Sequence, residues 1–126
     1  MVFILDASEP DWGSDKEKHP IFLPLANGLR ALRDDPKVLE LRNKLKADLV
    51  AGFVGTSAEG AAGVGYLMKN PKGQDDYGYS LSAAGYIGGP HYTFTHEIGH
   101  NLGCIHAKDQ SGRGVFPYSY GWRFSG

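Results

Sequence analysis

The chain has 126 residues, of which 41% are hydrophobic, and 13 Lys and Arg stand against 14 Asp and Glu, for a formal net charge of −1. This near-neutral balance gives no electrostatic reason to expect nucleic acid or an anionic membrane as a partner. No apolar run approaches the length of a membrane span, and the length suits one hydrophobic core, so we expect a single domain over residues 1–126.

The first 32 residues predict mostly irregular structure. Residues 1–5 form a short apolar run typical of a strand, and no basic region accompanies it, so no signal peptide is visible. Residues 6–20 are rich in acids, lysines and prolines and predict a solvated loop in which His19 is exposed. Residues 21–32 are apolar but interrupted by proline and glycine, which leaves a loop and a short helix both open.

A helix and a strand are predicted next. Asp35 is a suitable N-cap with Pro36 at the first helical position, and we expect this helix to end near Ala47. Its apolar stripe consists of Val38, Leu41, Leu45 and Leu49. Residues 48–55 are a short apolar run bounded by glycine, which predicts a buried central strand beside the helix.

The glycines over residues 52–65 invite comparison with a phosphate-binding loop. The stretch lacks the lysine of such a loop, and no helix begins in the required register, so nucleotide binding is not favoured. Residues 63–68 and 79–86 instead predict two strands, joined by a loop over residues 70–76. A glycine- and proline-containing break at 88–90 then lets a helix begin near Pro90 or His91.

Residues 96–106 read HEIGHNLGCIH, which fills every specified position of H-E-x-x-H-x-x-G-x-x-H. Residues four apart lie above one another on a helix, so His96 and His100 present two imidazoles to one point. Gly103 can take a positive φ and turn the chain sharply, which returns His106 to the same point. Three protein nitrogens leave the fourth tetrahedral position of zinc to water, which distinguishes a catalytic zinc site from a structural one.

Three further residues that carry reactive side chains lie in or near this motif. Glu97 follows the first ligand and is the expected general base. His91 precedes His96 by five residues, which puts it well off the ligand face of a helix, so we expect no metal role for it. Cys104 is the lone cysteine, and we expect it to pack as a small apolar residue. A site that binds zinc without catalysing a reaction is the alternative.

The zinc motif, the segment 92–95 (YTFT) before it and the later segment 117–124 (PYSYGWRF) together resemble the metzincin metallopeptidases. Within them, the chain is similar to the adamalysin or reprolysin-like branch as found in bacteria, over about residues 38–126. Two positions depart from that pattern. Ala107 stands where this branch usually has Asp after the third histidine, and no methionine follows Met68 to form the Met-turn beneath the zinc.

The resemblance implies a three-layer zincin-like fold of the α+β or α/β class. A twisted, mainly parallel sheet would carry an antiparallel edge strand, with a backing helix and an active-site helix. Because relatives continue past the position of Gly126 into the Met-turn and a closing helix, it also implies a catalytic domain fragment truncated before that turn.

The resemblance further implies a zinc-dependent endopeptidase that hydrolyses peptide bonds of peptide or protein substrates and is exported from the cell. An extended substrate would pair with the edge strand, for which Gly65 and Tyr66 are the candidate rim residues. An ordinary edge strand, in which the glycines serve the twist, is the alternative for this segment. The alternative is a zinc-binding but inactive truncated module.

Overall fold

The computed structural model of the chain describes residues 25–55, 61–110 and 112–121. The strand expected at 1–5, the loop at 6–20 with His19, and the last residues of the segment 117–124 lie outside these ranges. The helices and strands are α1 (Leu25–Asp34), α2 (Pro36–Leu45), α3 (Thr93–Asn101), β1 (Val50–Val54), β2 (Gly63–Gly65), β3 (Tyr79–Ala83), β4 (Ile105–Ala107) and β5 (Tyr120–Gly121). The architecture is α+β, one of the two classes that the resemblance implies.

Helix α1 overlaps the segment 21–32, for which the sequence predicted either a loop or a short helix, and shows that the described part is helical. Its buried residues are Leu25, Gly28, Leu29 and Leu32. Their spacing of three and four residues puts them on one stripe that faces the core. Burial of this stripe outweighs the low helix propensity of glycine, because packing of an apolar face supplies most of the stability of a helix in a protein.

Helix α2 begins as the sequence predicts. The side chain of Asp35 accepts hydrogen bonds from the main-chain N–H groups of Lys37 at 2.8 Å and Val38 at 3.3 Å. The helix ends at Leu45, slightly before the predicted end, because Lys46 takes a left-handed conformation with φ of 53°. The predicted N-terminus is therefore confirmed, and the C-terminus is two residues earlier than expected.

The guanidinium of Arg42 forms hydrogen bonds that join α2 to other segments of the chain. It donates hydrogen bonds to the main-chain oxygens of Ala47, Asp48 and Asp75, at 3.1, 2.8 and 2.6 Å. Its carbon also lies 5.0 Å from the ring centroid of Tyr79. Arg42 therefore joins the end of α2 to the approach to β1 and to the turn that precedes β3.

The main sheet has the strand order β1-β3-β2. β1 pairs parallel with β3, and β2 pairs antiparallel with it on the other side. The predicted antiparallel edge strand is present, but the prediction that β1 is the central strand is wrong for the described sheet. β3 takes the centre because it pairs with both β1 and β2, and all five of its residues are buried, whereas Phe53 of β1 is 51% exposed.

The two faces of β3 carry different chemistry, since side chains alternate along a strand. Tyr79, Leu81 and Ala83 join the buried leucines of α1 and Val38 in one hydrophobic core. Ser80 and Ser82 share their face with Gly63 and Gly65 of β2, against which α3 packs. Helices therefore cover both faces of the sheet. None of the helices within the described ranges is long and apolar enough to cross a membrane.

Helix α3 begins at Thr93 rather than near Pro90 or His91, so the predicted start is two to three residues too early. Tyr92 has a φ of 51°, which is left-handed and cannot belong to the helix. Strand β3 likewise ends at Ala83, before the predicted end, and a short 3-10 turn over Ala84–Tyr86 follows it.

Candidate metal centre

Helix α3 presents two histidines on its flank because a different stripe is buried. Its buried residues are Thr93, Glu97 and Asn101, four residues apart, and this polar stripe faces the sheet. The neighbouring stripe holds His96 and His100, whose Nε2 atoms are 3.1 Å apart. The predicted pairing of two imidazoles on one side of the helix is therefore seen in the structure.

A sharp turn after α3 brings the third histidine to the first two. Gly103 has a φ of +86°, as its predicted role requires. His106 then lies on β4, which is held beside β5 and by a 3.0 Å hydrogen bond from Ile105 N–H to Ser119 O. The Nε2 atoms of His106 and His96 are 3.0 Å apart, and one ligand atom from each of the three histidines lies within 4.8 Å of the others.

We expect Gly103→Ala to weaken metal binding and to destabilise the fold. A Cβ at this position would collide with Val115, and the left-handed conformation itself costs a non-glycine residue about 1–3 kcal/mol. Thermal unfolding and zinc titration would measure both effects. Gly85→Ala is the matched control, because a Cβ there would meet no atom within 4 Å. Equal losses in the two variants would contradict a specific role for the Gly103 turn.

The donor set fits a zinc ion with three protein ligands. Tetrahedral coordination at the usual Zn–N distance separates ligand nitrogens by about 3.3 Å, close to the 3.0 and 3.1 Å observed. The Nδ1–H of His100 donates to the main-chain oxygen of Cys104 at 2.7 Å, which leaves Nε2 of that ring free to coordinate. Burial and the neighbouring imidazoles lower the pKa of His96, which favours the neutral, metal-binding form.

Glu97 lies beside the three histidines without joining their cluster. Its residue exposure is only 5%, and burial raises the pKa of its carboxyl group, while the charge of His100 acts in the opposite direction. Its side chain runs along β2: a Cβ at Gly65 would lie 3.2 Å from Glu97 Oε2 and 2.8 Å from its main-chain oxygen. Glycine at 65 thus permits α3 to approach the edge strand closely.

The two candidate rim residues, Gly65 and Tyr66, differ in the direction of their main-chain N–H and C=O groups. The N–H of Tyr66 donates to Tyr79 O at 3.2 Å, and Ala83 N–H donates to Ala62 O at 2.8 Å. Since these bonds alternate along an antiparallel pair, the main-chain groups of Gly63 and Gly65 face away from β3. The ring of Tyr66 stacks on Tyr77 and packs against the core. Gly63, rather than Tyr66, therefore accompanies Gly65 on the outward edge of β2.

Residues 4–123 match a reprolysin family model that is described as metallo-peptidase family M12. The chain belongs to metallo-peptidase family M12. No curated protein gives a significant match. A solved structure described as "Structure of a chaperone-substrate complex" is similar, with a TM-score of 0.54 and 24% identity over 70% of this chain and 15% of that one. That likeness supports the fold alone, and the present chain spans 15% of the other chain's length.

The M12 family match agrees with the predicted metallopeptidase class and with a metal ion, for which zinc is typical, at the histidine cluster. His91 does not belong to this cluster, and its ring contacts Tyr86 at 4.9 Å. Cys104 is exposed, contrary to the expectation that it packs inside, because the turn at Gly103 directs it to the open side of α3. It lines a surface groove with His96 and His100.

Sequence reasoning missed one buried polar residue that directly follows His100. Asn101 ends α3 and is 4% exposed, and its side-chain amide hydrogen-bonds to three main-chain oxygens near β2 and β3. The available signal was its position four residues after Glu97, which puts both polar residues on one stripe of the helix. An asparagine on that stripe must find partners once the stripe is buried.

Proposed function

We propose that this M12 chain is a zinc-dependent endopeptidase domain in which His96, His100 and His106 hold the zinc and Glu97 is the general base. The observation that carries the proposal is the convergence of three imidazole Nε2 atoms, at 3.0 and 3.1 Å, beside a buried carboxyl group that is not a ligand. The helices on both faces of the mixed sheet support the finer assignment to the three-layer, zincin-like fold.

The proposed reaction divides the chemistry between the metal and Glu97. Bound zinc supplies polarisation of the scissile carbonyl and a lowered pKa for water. Glu97 accepts the proton of the attacking water and passes it to the leaving amine, a role typically worth about 10²–10⁴ in rate. Burial of Glu97 suits this role, because a raised pKa makes its carboxylate a stronger base.

We further propose that substrates bind in extended form along β2. The outward-facing main-chain groups of Gly63 and Gly65 can pair with a peptide strand, which is recognition by strand addition. Glu97 packs directly against Gly65, so a peptide on this edge lies next to the base and the histidine cluster. Such binding relies on main-chain groups and suits peptides or unfolded proteins. Export of the chain, which the resemblance to metzincins implies, stays a prediction.

The proposal is tested by measuring cleavage of an unfolded protein or a quenched fluorescent peptide. We expect cleavage with one equivalent of zinc, its loss on adding a chelator, and its return when zinc is restored. Glu97→Gln is the control for contaminating peptidases, because it preserves the shape of the side chain and removes the base. Full zinc binding with no cleavage above that control would instead support the inactive zinc-binding module.

A further inference from the structure

The side chain of Asn101 binds three separate segments at once. Its Nδ2 atom donates to the main-chain oxygens of Tyr66 at 2.9 Å, Tyr79 at 2.9 Å and Tyr77 at 3.1 Å. Two N–H groups serve three acceptors, so one of them is shared. An oxygen atom in the same place would face three carbonyl oxygens, and the orientation of the amide is therefore determined by its surroundings.

These acceptors connect the helix of the metal site to the strand proposed to bind substrate. Tyr66 directly follows β2, Tyr79 is the first residue of β3, and Tyr77 ends the turn between them. Asn101 itself follows the ligand His100 and lies one helical turn beyond Glu97. One buried amide thus joins the end of α3 to the end of the edge strand.

The spacing between α3 and β2 leaves little room for adjustment. A Cβ at Gly65 would lie 2.8 Å from the main-chain oxygen of Glu97, and one at Gly63 would lie 3.0 Å from Glu97 Cγ. Beyond Tyr66, the N–H of Met68 donates to His100 O at 3.0 Å. This is a second link between α3 and the chain after β2, and it is weaker than that of Asn101 because it consists of one hydrogen bond. A small displacement of β2 would therefore change the distance between the outward edge and Glu97.

We propose that Asn101 is a positioning residue that holds β2 at the distance from α3 at which a peptide on that edge is aligned with Glu97. It acts through the carbonyl of Tyr66 and belongs neither to the histidine cluster nor to the outward edge. The inference rests on the proposed peptidase function for its kinetic consequence. Its structural consequence, the placement of β2, can be measured without any activity.

The structural test compares Asn101→Leu, which keeps the volume and removes the amide, with Asn101→Ala, which leaves space for water to reach the three carbonyls. Hydrogen exchange should accelerate at least about tenfold at the amides of Val64 and Tyr66, because opening of β2 becomes easier. The amides of β1 should keep their exchange rates. Zinc affinity should change by less than about threefold, since no histidine is displaced.

The kinetic test uses one peptide substrate and zinc-loaded protein. We expect kcat per zinc-bound molecule to fall at least about tenfold, because a misplacement of about 1 Å is enough to cost that much. KM should change less than threefold, since the outward main-chain groups of β2 remain. Asn43→Leu, on the exposed side of α2, is the matched control and should leave exchange, kcat and KM unchanged.

Several outcomes would overturn the proposal. Unchanged kcat per zinc-bound molecule with a lowered melting temperature would make Asn101 a purely structural residue. Unchanged exchange at β2 would show that pairing with β3 and the Met68 link hold the strand without Asn101. If neither variant folds, Asn101 is a folding residue, and the proposal also fails. A parent chain without peptidase activity would contradict the proposed function instead, and exchange at β2 would still decide whether Asn101 positions the edge strand.

Discussion

Replacing Glu97 with glutamine is expected to lower kcat at least about a hundredfold while zinc remains bound, because general-base catalysis typically contributes about 10²–10⁴ in rate. Glutamine keeps the length and shape of the side chain, so it fits the space against Gly65 that the buried glutamate occupies. It has no basic oxygen with which to accept the proton of water. Steady-state kinetics on one peptide, with zinc content measured on the same sample, would check the prediction.

The control for this variant is a carboxylate outside the site. Glu40 lies exposed on α2, and Glu40→Gln should leave kcat and zinc content unchanged. Turnover by Glu97→Gln equal to that of the parent would exclude Glu97 as the base. Loss of zinc in the same variant would instead make Glu97 a metal ligand or a structural support of the metal site.

Replacing His106 with alanine is expected to weaken zinc binding by more than about a hundredfold, since loss of an outer-shell partner alone typically costs about 10–100-fold. His106 provides one of the three converging nitrogens and is the one that does not come from α3. Two ligands on one helix cannot complete a tetrahedral protein site. Competition with a chromophoric chelator would measure the zinc affinity.

His91→Ala is the matched control for His106→Ala. His91 is exposed, contacts Tyr86 and lies outside the three-histidine cluster, so its removal should not change zinc affinity. Unchanged affinity in His106→Ala would contradict the three-ligand site. A decrease of equal size in both variants would point to a general loss of folding rather than to loss of a ligand.

Local rules explain the features that sequence reasoning predicted. The cap by Asp35, the pairing of His96 with His100 and the positive φ at Gly103 each depend on a few neighbouring residues. Helical spacing alone places two side chains four residues apart on one side of a helix. The roles proposed for Glu97 and for the zinc ion depend on the same short motif, and they stay predictions until they are measured.

The errors in the predicted elements come from interactions between distant segments. Residues 48–55 are as apolar as a central strand, so their sequence predicts that position. The pairing of the strands nevertheless places β3 at the centre. The start of α3 at Thr93 depends on the left-handed conformation of Tyr92, which helix signals in the sequence do not reveal. The exposure of Cys104 likewise depends on the direction in which the chain leaves Gly103.

The sequence by itself determined the metal-binding motif, its turn and the metallopeptidase family, because these depend on residue types at short, fixed spacings. Only the tertiary structure decided which groups face the outward edge of β2 and what Asn101 binds. The register with β3 directs Tyr66 inward and leaves Gly63 and Gly65 on the edge. A one-residue shift of that register would reverse every side chain of the strand. Both assignments therefore depend on long-range pairing, which residue spacing within one segment does not encode.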